Sequence, residues 1–472
     1  MPCCQAEKYK WCKTLRSVKF AGGKEYCVFH APEEHKGQTP ESFNKLVYAK
    51  IQDAINKKKY CDLSGTIFPW SIAFSQFDKN NPFPKIYFID VIFNEYVDFV
   101  EATFSEDAFF INATFNKASS FRGTTFRKEA FFKKATFRKP TGFIEAVFNE
   151  IADFDEVAFK GIVNFNKAVF SGAASFNKAI FSEDADFTKA AFNKVGFASF
   201  TKATFDKDVH FIQAAFSGDV KFTKATFNGD VHFRTTNFHK SLYLGWCLVN
   251  KSIFFEDVDL SKVSFLNSDP SKIHFTDCTW SRRYGRNILL DEKNLKKKVS
   301  SFDKVEYLYR RLKQKYKEEH NETEASNWHY GEKEMFRKKK WWRRYNPISF
   351  SNLYWISSGY GERPVRAGLV IVLLFVAVTI LMNLLGLVPK HGNPVFGVES
   401  IKGFTSFFNP KKFWLLINNT VQHALFVRDA YFIPQNLAGS IILTLSTRLI
   451  MPIQTALFVL SLRNKFRKLN IN

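Results

Sequence analysis

Along residues 102–238 the apolar positions return on a beat that fits neither a helix nor an ordinary strand. Phe104, Phe115 and Phe126 open a series that continues every eleven residues to Phe192, and a second series from Phe110 to Phe187 interleaves with it at steps of five and six. The stretch "GFASFTKATF" inserts two residues, after which the beat resumes from Phe205 to Phe238. A helix repeats its face about every 3.6 residues and a strand every 2, so the pattern calls for a chain that turns a corner about every five residues, with one short strand per side. Small residues stand two places before many of the rings, as at Ala113, Ala135, Ala146, Ala168 and Ala179. Alternate strand residues share a face, so ring and small residue both point inward, while polar Asn116, Lys117, Arg127 and Lys128 take the corners. Self-similarity of this regularity predicts a stacked array.

This Phe-centred pattern resembles the pentapeptide-repeat family, which implies a right-handed, quadrilateral β-helix of about four pentapeptides per coil. The likeness extends more loosely from Phe68, in "TIFPWSIAFSQF", to Phe275, in "VSFLNSDPSKIHFTDCTW". At roughly 4.8 Å per coil, eight to ten coils make a rod on the order of 40–50 Å long.

Beyond the rod the period changes to that of a helix. Val305, Leu308, Tyr309, Leu312 and Tyr316 form an apolar seam, and "EASNWHYGEKEMFRKK" follows as the second arm of a helical hairpin. Two apolar segments come next, at about 367–387 and 437–462, each long enough to span a bilayer. Between them, about 411–424 reads as a helix too short to cross, which predicts a re-entrant, pore-type helix. Basic residues flank the outer ends of both segments, so the positive-inside rule places both termini and the rod in the cytoplasm. The expected fold is thus β plus α-membrane. It comprises a Cys/His segment over 1–36, a helical linker over 37–63, the β-helix over 64–280, a basic coupling hairpin over 281–345 and a membrane module over 346–472.

Span, short helix, span resembles the two-helix cation-channel pore domain, but no "TVGYG" is present, so potassium selectivity is not implied. Candidate pore residues are His423, Arg428, Asp429, Arg448 and Gln454. Arg448 is the one charge in the second span, either lining a conduit or pairing with a carboxylate such as Asp429. Glu362 and Arg363 either pair at the entrance or cap the helix starting near Pro364, and the cap is the favoured role. "LYRRLKQKYKEE", "NWHYGEKEM", "SGYGERPVR" and "ALFVLSLRNKFRK", in that order, resemble bacterial pentapeptide-repeat membrane proteins with a C-terminal ion-channel-like module. That resemblance implies an inner-membrane, multi-pass protein, a homotetramer by analogy.

Charge narrows the partners. The chain carries a formal +23, yet residues 102–238 hold 18 Lys/Arg against 15 Asp/Glu, while residues 281–345 hold 20 against 10. Family members that resemble duplex DNA need a strongly acidic rod, which this is not, and no nucleic-acid partner is expected. Lys338, Lys339, Lys340, Trp341, Trp342, Arg343 and Arg344 combine cations with interfacial aromatics and read as a lipid-headgroup contact.

Cys4, Cys12, Cys27 and His30 offer three thiolates and an imidazole, a ligand set for structural Zn²⁺, with Cys3 as a substitute for Cys4. Segments of the "CIFH" type precede other pentapeptide-repeat membrane proteins. No phosphate loop, nucleophile elbow or ordered Ser-His-Asp set occurs, and no enzyme is expected. The leading expectation is a pore-forming protein with a cytoplasmic sensing or docking rod. The alternative is a membrane-anchored scaffold whose rod binds a protein partner.

Overall fold

The computed structural model describes residues 3–15, 17–19, 24–193, 197–295, 299–339, 346, 348–425 and 430–469. The chain forms two compact units, 1–296 and 297–472.

In the first unit, four parallel sheets of ten, nine, ten and seven two-to-four-residue strands make the sides of a β-solenoid. Ala108 pairs with Ala130 and Phe115 with Phe137, so one coil is 22 residues, two more than four pentapeptides. The extra residues are corners in the left-handed region, such as Asn112, Gly123, Lys134, Glu145 and Glu156, which recur every eleven residues. That is the origin of the alternating five-and-six step. At the phase break Ala174 pairs with Ala198, so the longer coil still stacks in register.

The interior is the expected ladder. Phe110, Phe132 and Phe154 stack at 4.7 and 4.8 Å with rings nearly parallel, while successive sides meet edge-to-face, as Phe110 with Phe121 at 5.8 Å. Ala113, Ala135, Ala146, Ala168 and Ala179 are all fully buried. Thr124, Thr236 and Cys247 fill the same inner place, and each donates to a carbonyl of the coil below, those of Phe99, Phe211 and Phe222. The close approach of coils leaves no room at Gly172, where a Cβ would lie 2.1 Å from the Glu150 carbonyl oxygen. Gly172→Ala is expected to cost about 1–3 kcal/mol through forced backbone displacement, read as a lower unfolding midpoint for the full chain. An unchanged midpoint would show that the coils can part without penalty.

Both ends of the ladder are covered, as an array requires. At the N-terminal end the helix Pro40–Asn56, started by a Thr39/Ser42 capping box, lays Phe43, Val47 and Ile51 over the first coil. Its Tyr48 hydroxyl donates to the Ala73 carbonyl. At the other end Trp280 packs on Phe265 and Phe275. The hairpin Ser281–Arg283/Arg286–Ile288 and the short helix Leu290–Lys293 then close the rod. There Arg286 grips Glu292 with both bonds under 2.8 Å, and the Asp291 carboxylate accepts from Ser264 and the Phe265 amide. Residues 281–293 therefore finish the solenoid instead of opening the coupling hairpin, because buried Asp291 and Glu292 find partners in the rod's last coils and its closing β-hairpin.

The second unit opens with the antiparallel helices Val299–Glu318 and Glu322–Lys339. All five predicted seam residues are buried, against Trp328 and Met335 of the other arm. Gly331 lets the Tyr309 ring approach, since a Cβ would sit 2.8 Å from it. An elbow helix, Phe350–Ser358, ends at Gly359 in the left-handed region and leads into the apolar helix Pro364–Leu385, with Pro364 at its first position. The Arg363 position has no side-chain cap, and Glu362 instead accepts from Ser326 of the hairpin, so the expected cap is replaced by a tie between elbow and hairpin. The helix Pro410–Ala424 packs beside the apolar helices, sharing a core of Met382, Ile401, Leu415, Leu416, Phe432 and Leu443. Among the described residues two helices, Pro364–Leu385 of 22 residues and Leu437–Phe466 of 30, are long and apolar enough to cross a membrane. Leu369, Val372 and Leu373 are among the apolar side chains left exposed on the first.

Candidate functional sites

Three groups of side chains stand out from the packing. The first is at the N-terminus. A strand Glu25–Cys27 runs into a tight turn in which the His30 and Ala31 amides both donate to the Cys27 carbonyl, bringing Cys27 and His30 to one point. Cys12, at the end of the turn Lys10–Cys12, and Cys3 complete the group. The ligand atoms of Cys3, Cys12, Cys27 and His30 all lie within 4.8 Å of one another, and all four residues are buried. His30 Nδ1 lies 3.5 Å from Cys3 Sγ and 3.3 Å from Cys27 Sγ. Its other nitrogen, Nε2, is 3.0 Å from the Ser64 carbonyl, which fixes the proton there and leaves the Nδ1 lone pair facing the sulfurs. Cys4 is exposed and stands outside the group. Its amide is committed to the Glu25 carbonyl, and its side chain faces away while that of its neighbour turns inward. Cys3, in place of the expected Cys4, is therefore the fourth member of the group.

The second group lies on the outside of the rod. Phe109 and Phe131 occupy outward strand positions in a half-buried row, Phe109 stacked on Tyr87 at 4.8 Å and Phe131 on Phe109 at 4.9 Å, and exposed Tyr60 leans edge-on against Tyr87. Farther along the same face the row turns polar, at Asp153, Ser175 and Ser199. On another face His210, His232, Phe254 and His274 stack at 5.0 to 5.1 Å. Treating every ring of the ladder as core misses these rows. The signal was in the doublets Phe109-Phe110 and Phe131-Phe132: neighbouring strand residues face opposite ways, so only one of each pair points in.

The third group is the set of polar residues of the apolar helical unit. Gln454 is buried, and its amide donates to the carbonyls of Ser357 and Ala367 at 2.9 and 3.0 Å, so it clasps the elbow to both apolar helices instead of facing a conduit. Ser446 and Thr447 donate to carbonyls one turn earlier, in a π-helical segment Ser446–Ile450. Arg448 projects from that segment and is exposed, with no ion pair among the described residues. His423 is half-buried, its Nε2 3.2 Å from the carbonyl of Phe432. Asn419 likewise accepts from the Phe432 amide, so the end of the short helix is fastened to the strand Phe432–Pro434. Arg428 and Asp429 lie outside the described residues, as do Lys340, Trp341, Trp342, Arg343 and Arg344. Lys338 pairs with Glu334 at 2.9 Å and Lys339 pairs with Asp303, so these two cations of the expected headgroup contact are already engaged within the hairpin.

Comparison with curated proteins and with solved structures finds no match. A family model described as pentapeptide repeats (9 copies) matches residues 88–133, 121–169, 154–199 and 200–245. With the stacked four-sided coils around them, residues 88–245 are a pentapeptide-repeat β-solenoid.

Proposed function

We propose that this chain is a non-catalytic, membrane-anchored scaffold: its apolar helices hold it in a bilayer, and its pentapeptide-repeat rod docks a protein partner. The observation that carries the reading is the outward row Tyr60, Tyr87, Phe109 and Phe131. Contiguous aromatics on a water-facing side are uncommon on a soluble surface and are the residue types around which interfaces concentrate their energy. Three polar side chains of the second apolar helix, the pore candidate Gln454 among them, support the anchor. Gln454, Ser446 and Thr447 spend their hydrogen bonds inside the helical unit.

Replacing Phe109 with a photo-crosslinking residue in the membrane-inserted full chain is expected to yield one discrete adduct. The same residue at Asn164, on a different face, yields none, and Phe131→Ser weakens the Phe109 adduct at least about tenfold, consistent with a hot-spot aromatic. Purified protein in a planar bilayer carries no current. A current whose reversal potential shifts in Arg448→Gln, with no face-specific adduct, would reverse the assignment. That outcome belongs to the pore reading, which rests on exposed Arg448 in a π-helical segment and on the short helix packed beside the apolar pair.

A further inference from the structure

We propose that Cys3, Cys12, Cys27 and His30 bind one Zn²⁺ that clasps the N-terminal segment onto the first coil of the rod. Bond lengths of about 2.3 Å to sulfur and 2.0–2.1 Å to nitrogen, at a tetrahedral angle, set a sulfur-to-nitrogen edge of about 3.6 Å. The observed edges from His30 Nδ1 are 3.5 Å to Cys3 and 3.3 Å to Cys27. Four ligands close the shell and leave no position for substrate, which makes the site structural.

The surroundings fit a metal better than a cluster of thiols. The imidazole donates its outer N–H to the Ser64 carbonyl, the arrangement that orients metal-bound histidines. Binding releases three thiol protons and leaves three thiolates on a dication, a net charge of −1. Two lysines stand close by, Lys36 buried and Lys50 half-buried. Lys36 Nζ donates to the carbonyls of Val28, Phe29 and Ala31, the backbone of the Cys27–His30 turn. Lys50 Nζ lies 3.9 Å over the Trp11 ring, which itself packs against His30. A soft, sulfur-rich tetrahedral shell selects zinc over magnesium or calcium.

The clasp has a mechanical purpose. Residues 3–36 contribute few apolar side chains to any core, and their attachments to the rod converge on the site. Trp11 Nε1 and His30 Nε2 both reach the Ser64 carbonyl, the Ile67 amide donates to the Phe29 carbonyl, and the Tyr9 hydroxyl donates to Asp90. A metal that fixes Cys12, Cys27 and Cys3 relative to His30 fixes this whole docking face.

The test uses the purified full chain, reconstituted with zinc under reducing conditions. Elemental analysis is expected to find one zinc per chain, and cobalt substitution to give the absorption of a tetrahedral thiolate site. Cys4→Ser keeps the metal, whereas Cys3→Ser reduces its affinity by at least tenfold. A chelator should expose three further thiols to an alkylating reagent and open the segment before Thr39 to protease, a readout independent of whether the variants fold. Absence of zinc after reconstitution overturns the proposal, as does equal loss of metal in Cys4→Ser and Cys3→Ser, or a thiol count that the chelator leaves unchanged.

Discussion

Replacing Phe143 with alanine is expected to destabilise the rod by about 3–5 kcal/mol, the cost of removing a large aromatic from a site that cannot collapse. The ring is fully buried and stacked between Phe121 at 4.7 Å and Phe165 at 4.8 Å, and it meets Phe132 and Phe154 edge-to-face at 5.6 and 5.5 Å. Those neighbours hang from strands whose spacing is set by backbone hydrogen bonds, so they cannot close the gap. Phe238 is the control. It ends its sheet, stacks on one ring only, Phe216 at 5.5 Å, and retains some exposure, so Phe238→Ala should cost clearly less. Chemical denaturation of the full-length variants checks both. In an array each coil contacts only its neighbours, so hydrogen exchange should quicken most in the coils that flank Phe143. Equal losses at Phe143 and Phe238 would mean that the ladder is not stabilised by stacking from both sides.

The ladder was legible because its period is imposed by closure of the coil: any residue out of phase would put a ring in water or a charge in the core. The seam Val305, Leu308, Tyr309, Leu312 and Tyr316 was legible for the same reason, a face repeated over several turns. What escaped the sequence depends on single side-chain directions or on distant partners. Spacing does not distinguish Cys3 from Cys4, because one residue of backbone rotation decides which sulfur turns inward. Gln454 looks like a polar residue in want of water until the carbonyls of Ser357 and Ala367, nearly a hundred and nearly ninety residues earlier, are seen to accept from it. Phe109 and Phe131 were hidden by their own inward-facing neighbours. The closing of the rod by residues 281–293 was masked by their basic composition, which matches that of the hairpin beyond.

Neutralising Glu334 is expected to loosen the joint between hairpin and elbow and to remove part of the unit's acid sensitivity. Its carboxylate is nearly buried, and burial alone would push its pKa up. Two bonds from Arg337, at 2.8 and 3.2 Å, the Lys338 ammonium at 2.9 Å and the Tyr360 hydroxyl at 3.1 Å outweigh that and hold it down at about 2. Arg337 in turn donates to Asn352 and lies 4.5 Å over the Trp355 ring, so the one carboxylate anchors a chain of contacts from the hairpin arm to the elbow helix. The folded value lies below the usual 4.5, so this stabilisation is complete above pH 4.5 and is lost as pH falls toward 2. At 1.36 kcal/mol per pH unit the gap corresponds to roughly 3 kcal/mol, in line with about 3–5 kcal/mol for breaking a buried ion pair from one side. Glu334→Gln keeps the shape but leaves Arg337 uncompensated. Thermal unfolding of the full chain in detergent, followed by tryptophan fluorescence, should show the variant less stable at pH 7 and flatter between pH 4.5 and 2 than the wild type. Parallel acid profiles for the two proteins would mean that Arg337 finds its compensation elsewhere and that Glu334 does not carry the joint.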